Sequence, residues 1–307
     1  MTNLHPLAGI YAASVTPMKS DFSIDLDAVN LFLHFLAARD CHGALLFGTT
    51  GEGPSFSIRQ REAVLRVAQE VRVTYPEFKL LAGTGTPSLD ETVELTRLAF
   101  DLGCDGVVVL PPYYFRKVND DGLFTWFQQV IRRAVPRDGY LLGYHIPGQS
   151  GVPLSLDLLA RLKDASPHQF AGIKDSSGDP DHAVALGGRF GSDLLVLNGN
   201  DGLLLHALEY NAGGAITAMA NLFSPLLRQV WDIFIQDGDP IEAQDRLNVR
   251  RQVLDRYQPF PPILKALLAR MHGFERWSVC PPLLPVSAHI EETCVQELHD
   301  CDEPGES

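Results

Sequence analysis

Side chains able to act on a carbonyl group recur at the ends of short apolar runs in this chain. Lys174 closes Phe170-Ala171-Gly172-Ile173, a stretch that reads as a buried strand. A lysine in such a place is rarely buried unless it is paired or functional. Desolvation lowers the pKa of an amine and leaves a nucleophile towards carbonyl carbon. Tyr144 ends a second run and heads Tyr144-His145-Ile146-Pro147, and Tyr113 and Tyr114 follow Pro111-Pro112. Thr49 and Thr50 sit within Gly48-Thr49-Thr50-Gly51-Glu52-Gly53. Glycines there admit close backbone approach, and successive amides can form an anion-binding nest. Asn198-Gly199-Asn200-Asp201 ends a further run.

Each piece alone has an ordinary structural reading. A strand-end lysine can snorkel to water, and a tyrosine can pack with its hydroxyl wet. Gly-Thr-Thr-Gly reads as a turn, Asn-Gly-Asn-Asp as a helix cap, and His145 as a core histidine. Together they suit one reaction class. A lysine attacks a ketone and forms an iminium, which serves as an electron sink. A tyrosine moves protons, but a free phenol has a pKa near ~10. It needs hydrogen-bonded neighbours, such as a threonine hydroxyl and a second tyrosine, to do so at neutral pH. The nest holds a carboxylate beside the carbonyl. An α-keto acid is the implied substrate, and neither a metal nor an organic cofactor is required.

The elements that must position these groups are legible as β/α alternation. Strand-like runs fall at 10–15, 44–47, 80–83, 106–110, 140–144, 170–173, 194–197 and 215–219, each followed by a helical stretch. Ser57 with Gln60 and Ser88 with Glu91 read as capping boxes. Asp179-Pro180, Ser224-Pro225 and Asp239-Pro240 each place a cap residue before a proline at the first helical position. Eight such units predict an α/β fold, a (β/α)8 TIM barrel with additional C-terminal helices. A doubly wound sheet would show a Gly-rich phosphate turn after its first strand, where this chain has Ser14-Val15-Thr16-Pro17. The expected organisation is a catalytic barrel over 1–223, a helical extension over 224–287 and an acidic, partly disordered tail over 288–307. Active sites of such barrels lie at the C-terminal strand ends, where all the residues named above fall.

The 307 residues are 45% hydrophobic and carry a net charge of −13. That charge argues against nucleic acid and anionic membranes as partners but not against a small anionic substrate. No apolar run approaches the ~20 residues needed to span a bilayer. Met1-Thr2-Asn3-Leu4-His5-Pro6 has neither a basic n-region nor an apolar h-region. Five scattered cysteines fit no disulfide framework, which suggests a reducing cytoplasm. Cys294, His299 and Cys301 read as part of a solvated tail rather than a metal cluster.

The motifs in combination resemble those of the dihydrodipicolinate synthase and N-acetylneuraminate lyase superfamily, class I pyruvate-handling barrel enzymes. The motifs are Gly-Thr-Thr-Gly-Glu at 48–52, Pro-Tyr-Tyr at 112–114, Tyr-x-x-Pro at 144–147, Gly-Ile-Lys at 172–174 and Gly-x-Asp at 199–201. The similarity runs from about Gly9 to Leu284. It implies that Lys174 is the Schiff-base lysine and Tyr144 the general acid/base. Thr49 and Thr50 would bind the substrate carboxylate, and Thr49 would link Tyr144 to Tyr114 in a proton relay. Tyr114 would reach into a neighbouring subunit's site, the usual assembly being a homotetramer built from two dimers. The main-chain carbonyl of Ile216 would face the lysine and bound pyruvate.

Departures from the family narrow the substrate. In the dihydrodipicolinate synthase branch an arginine follows the Tyr-x-x-Pro proline by two positions, where this chain has Gln149. A neutral amide cannot make the bidentate carboxylate pair of a guanidinium, which counts against aspartate semialdehyde. The sialic acid branch has an acidic residue where Gly202 stands and a serine where Ala218 stands, which counts against a nine-carbon sugar acid. His145 replaces the usual asparagine. The expected reaction is cleavage or formation of a 2-keto-3-deoxy sugar acid, with pyruvate and an aldehyde as the partners. Ser176, Asn200, Asp201 and Thr217 are the expected hydroxyl-binding positions. Dihydrodipicolinate synthase proper, a hydratase-aldolase, a 2-keto-3-deoxy acid dehydratase and a non-catalytic keto-acid-binding barrel stay open.

Overall fold

The computed structural model describes residues 4–301. Eight parallel strands close into a barrel in chain order. They are β1 (Gly9–Ala13), β2 (Gly43–Leu46), β3 (Lys79–Gly83), β4 (Gly106–Val109), β5 (Tyr140–His145), β6 (Phe170–Asp175), β7 (Leu195–Asn198) and β8 (Gly214–Thr217). Helices α1 (Leu26–Ala38), α2 (Ile58–Ala68), α3 (Val71–Thr74), α4 (Leu89–Asp101), α5 (Asp120–Ala134), α6 (Pro147–Ser150), α7 (Leu156–Ala165), α8 (Pro180–Phe190), α9 (Leu204–Glu209) and α10 (Ala220–Ile235) return the chain between and after the strands. Helices α11 (Ile241–Asp255), α12 (Phe260–His272) and α13 (Ala288–Asp300) follow. The expected barrel is present, and each expected strand falls within two residues of its observed bounds.

Closure gives the barrel two apolar layers. Tyr11, Leu45, Leu81, Val108, Leu142 and Ile216 fill its interior. Alternate residues, among them Ala12, Ala44, Leu80, Val107 and Leu141, face the helices. Strand β6 breaks this alternation once. Leu141 pairs with Phe170 but Leu142 pairs with Gly172, so Ala171 is an extra residue, a bulge. Phe170 and Ile173 therefore both belong to the outer layer although three positions separate them.

The helix signals hold in part. Ser57 and Gln60 form the reciprocal capping box, and Ser88 accepts from the Glu91 amide. Asp179 caps α8 with Pro180 in its first turn. Helix α10 starts at Ala220 but breaks at Phe223, which leaves helical geometry, so its longer second part begins at Ser224-Pro225, one residue earlier than a Ser224 cap would place it. The Ser224 hydroxyl donates to the Arg39 carbonyl instead of capping.

The boundary expected at residue 288 also needs correction. Ser287 caps α13 by accepting from the Ile290 amide, and Cys294 and Leu298 are buried. Residues 288–300 thus continue the helical extension, while residues 302–307 lie outside those described. Among the described residues no helix is long and apolar enough to cross a membrane.

Candidate active site

Strand alternation decides which polar side chains reach the barrel mouth. Tyr144 belongs to the inner layer, and Lys174 is its register partner across β5 and β6. Lys174, expected at the strand end, lies inside β6 and is only 3% exposed. Its Nζ stands 4.3 Å from the centroid of the Tyr144 ring. The Tyr144 hydroxyl lies 3.3 Å from Thr49 Oγ1. Burial pushes the Tyr144 phenol up. The Lys174 charge and the facing Thr49, Lys174 and Ser176 groups together outweigh that effect, so its pKa falls below the ordinary value.

The turn that carries Thr49 is built for one backbone path. The Gly53 amide donates to the Gly48 carbonyl and the Glu52 amide to the Thr49 carbonyl, each at 3.1 Å. A Cβ on Gly53 would lie 2.0 Å from the Phe47 carbonyl oxygen, so only glycine fits. Arg61, buried in α2, donates to the carbonyls of Gly53, Phe56 and Gly83. Glu52 has φ 56° and points its carboxylate inward to Lys265 of α12. Thr50 is buried and Thr49 exposed. A cavity of about 30 Å³, room for a single water, lies against Gly48, Thr49, Leu110 and Tyr144.

The remaining expected residues divide. Ser176 and Asn200 are partly buried, and Gly199 packs directly against Ser176. Gln149 is exposed on α6. Ile216 belongs to the inner layer of β8, so its neighbour Thr217 faces outward, and Thr217 is 1% exposed. Asp201 is fully buried, and its carboxylate pairs with Arg251 of α11 at 2.9 Å. Burial raises its pKa against that arginine and Thr217. Asp201 and Thr217 are therefore not open hydroxyl-binding groups in this chain. Tyr114 is 76% exposed, edge-on to Phe115 at 5.2 Å, and is not assembled with Thr49 and Tyr144.

Sequence reasoning missed Arg61, Lys265 and His182. Each is a single charged or polar residue on a helix, and its role depends on a partner remote in sequence. Asp175, the residue after Lys174, was likewise not singled out, and the structure pairs it with His182.

Comparisons with known proteins agree with this architecture. The model of the dihydrodipicolinate synthetase family matches residues 6–300. An uncharacterized DapA-like lyase of Chloroflexus aurantiacus is 38% identical over 280 residues, 91% of this chain and 92% of that one. A 4-hydroxy-tetrahydrodipicolinate synthase of Methanothrix thermoacetophila is 31% identical over 92% of this chain and 93% of its own. Among solved structures, YagE, a prophage protein of the dihydrodipicolinic acid synthase family from E. coli K12 in complex with pyruvate, superposes with a TM-score of 0.89. It is 25% identical, and the match covers 96% of this chain and 99% of that one. With this barrel and family match, the chain belongs to the dihydrodipicolinate synthetase family and is a lyase.

Proposed function

We propose that the chain is a class I aldolase that forms an imine between Lys174 and pyruvate, and that its substrate is a 2-keto-3-deoxy sugar acid. The observation that carries this reading is the Lys174–Tyr144–Thr49 constellation: a buried amine 4.3 Å from the phenol ring, whose hydroxyl is 3.3 Å from a threonine. The amine adds to the ketone carbon, and loss of water gives the iminium. Cleavage of the C3–C4 bond expels an aldehyde and leaves the pyruvate enamine. Tyr144 accepts the C4 hydroxyl proton and afterwards returns a proton to C3. Thr49 and Thr50 hold the carboxylate. The exposed, neutral Gln149 and the rim groups of Ser176 and Asn200 favour a hydroxylated acceptor over an anionic one.

A second reading, dihydrodipicolinate synthase proper, is favoured by the name of the 31% identical relative and by Arg116. The Arg116 stem packs against Gly151, just past α6, so a guanidinium lies near the position vacated at Gln149. We further propose that the chain works in the cytoplasm as a homotetramer.

Borohydride reduction with pyruvate, followed by peptide mass mapping and a panel of aldehydes, tests these readings. A pyruvyl adduct on Lys174 with turnover of polyhydroxy aldehydes supports the first. The same adduct with turnover of aspartate semialdehyde alone supports the second. No adduct on the folded chain would overturn both.

A further inference from the structure

His145 and Asp175, the chain neighbours of Tyr144 and Lys174, face outward and are register partners beneath α8. Asp175 Oδ2 accepts from His182 Nδ1 at 3.0 Å, and Asp175 Oδ1 accepts the Ser177 amide at 3.0 Å. The His145 and His182 rings stack with centroids 4.6 Å apart. His145 Nδ1 accepts the Leu154 amide at 3.0 Å. From the side of α9, His206 Nε2 meets the Pro180 carbonyl at 3.1 Å.

His145, Asp175 and His182 have the spacing of a metal site, their ligand atoms lying within 4.8 Å of one another. Their hydrogen bonds point elsewhere. A backbone N–H donates only to an unprotonated ring nitrogen, so neutral His145 carries its proton on Nε2 and has no second lone pair. His182 uses its Nδ1–H on Asp175. One imidazole nitrogen and one carboxylate oxygen remain, which is not a three-ligand set.

What the cluster does hold is a turn. The Ser176 amide donates to the His145 carbonyl at 2.8 Å, and the Gly199 amide donates to the Asp175 carbonyl at 2.6 Å. A Cβ on Gly199 would lie 1.9 Å from Ser176 Oγ, so the serine occupies the space that a side chain there would need. We propose that Asp175 and His182 are positioning residues that lock the turn presenting Ser176 to the Tyr144 hydroxyl. The proposal rests on the imine chemistry above.

The charges around the cluster fit this role. Lys174, Thr49 and Ser176 face the Tyr144 hydroxyl and favour its ionised form. His182 is faced by Asp175, Asp179 and His145. The Asp175 hydrogen bond raises its pKa, whereas burial holds His145 down at about 4. Of the two stacked rings, the one bonded to Asp175 is therefore the more readily protonated.

Exchange of the pyruvate methyl hydrogens in D2O, followed by NMR across pH, tests the proposal without any acceptor. His182→Leu should still give the borohydride-trapped adduct. Its exchange should be about tenfold slower, with the rising limb about one pH unit higher, because Tyr144 loses support for its ionised form. His182→Asn keeps an N–H within reach of Asp175 and should restore both. Ser176→Ala should reproduce the limb shift, and the double variant should add nothing further. An unshifted limb in both His182→Leu and Ser176→Ala would overturn the proposal, as would failure of His182→Asn to rescue. If the native chain gave neither adduct nor exchange, the imine reading would fall and this inference with it.

Discussion

Glu52 and Lys265, 213 positions apart, form an ion pair of 2.5 Å with both side chains 1% exposed. Glu52 also accepts the Cys280 amide, and Lys265 donates to the Ser278 carbonyl, both at 2.7 Å. The pair ties the turn of Thr49 and Thr50 to α12 and the segment after it. Removing one partner of a buried pair costs about 3–5 kcal/mol, because the other charge stays buried. Lys265→Met should lower the melting temperature and weaken pyruvate binding. Thermal scans with and without pyruvate read both effects. The double variant Glu52→Gln/Lys265→Met should recover most of the stability.

Lys174→Ala should lose the pyruvyl adduct and all turnover while keeping the barrel. Circular dichroism and adduct mass spectrometry measure the two separately. Wild-type turnover in this variant would remove the imine mechanism.

Tyr144→Phe should still form the imine but turn over at least ~100-fold more slowly, the scale of a lost proton-transfer group. Because the Tyr144 pKa lies below the ordinary phenol value, activity in the native chain should rise with pH before a free phenol would ionise. That limb should vanish in the phenylalanine variant, and a pH–rate profile of both proteins decides the matter.

Acid should destabilise this fold through its histidines. Burial pushes His5, His42 and His145 down to about 4. A histidine depressed in the folded state contributes stability that is full above ~6.5 and lost as pH falls through the folded value. His182, raised by Asp175, has the opposite sign: its contribution is full below ~6.5 and lost as pH rises through its folded value. Burial also lowers His272, and the His182 contribution changes only above ~6.5, so nothing from His182 offsets the fall in melting temperature between pH ~6.5 and ~4. His42 accepts the Ile10 amide at 2.9 Å through Nδ1, a bond that protonation breaks. His42→Gln should flatten part of the fall, and an unchanged slope would count against this account.

Tyr114, Phe115 and Val118 are 76%, 71% and 40% exposed on one loop, an apolar patch of the kind that marks a protein contact. If they pack against a second copy, sedimentation velocity should find a dimer or tetramer. Tyr114→Ala/Phe115→Asp should then reduce its mass and its turnover together. A monomeric, active native chain would remove the proposed assembly.

Much of this was legible because parallel β/α units write apolar runs and caps directly into local sequence. Lys174 announced itself as a lone amine in an apolar strand. Helix α13 did not, because Glu291, Glu292, Gln296 and Glu297 mask the spacing of Ile290, Cys294 and Leu298. Asp201 and Thr217 were read as site groups from their strand ends alone. Which face of a strand end a side chain takes depends on its neighbours' alternation, and Ile216 already occupies the inner face of β8.

The extra residue at Ala171 sets the phase of everything after it in β6. In an unbroken strand, Lys174 would share a face with Phe170 and point its amine into the helix layer, while Asp175 turned a carboxylate into the mouth. Deleting Ala171 would remove the bulge and leave Lys174 facing inward, whereas drawing Ala171 into the regular alternation would exchange nucleophile and anion without altering either residue. Reaction type in this chain hangs on the parity of a single strand.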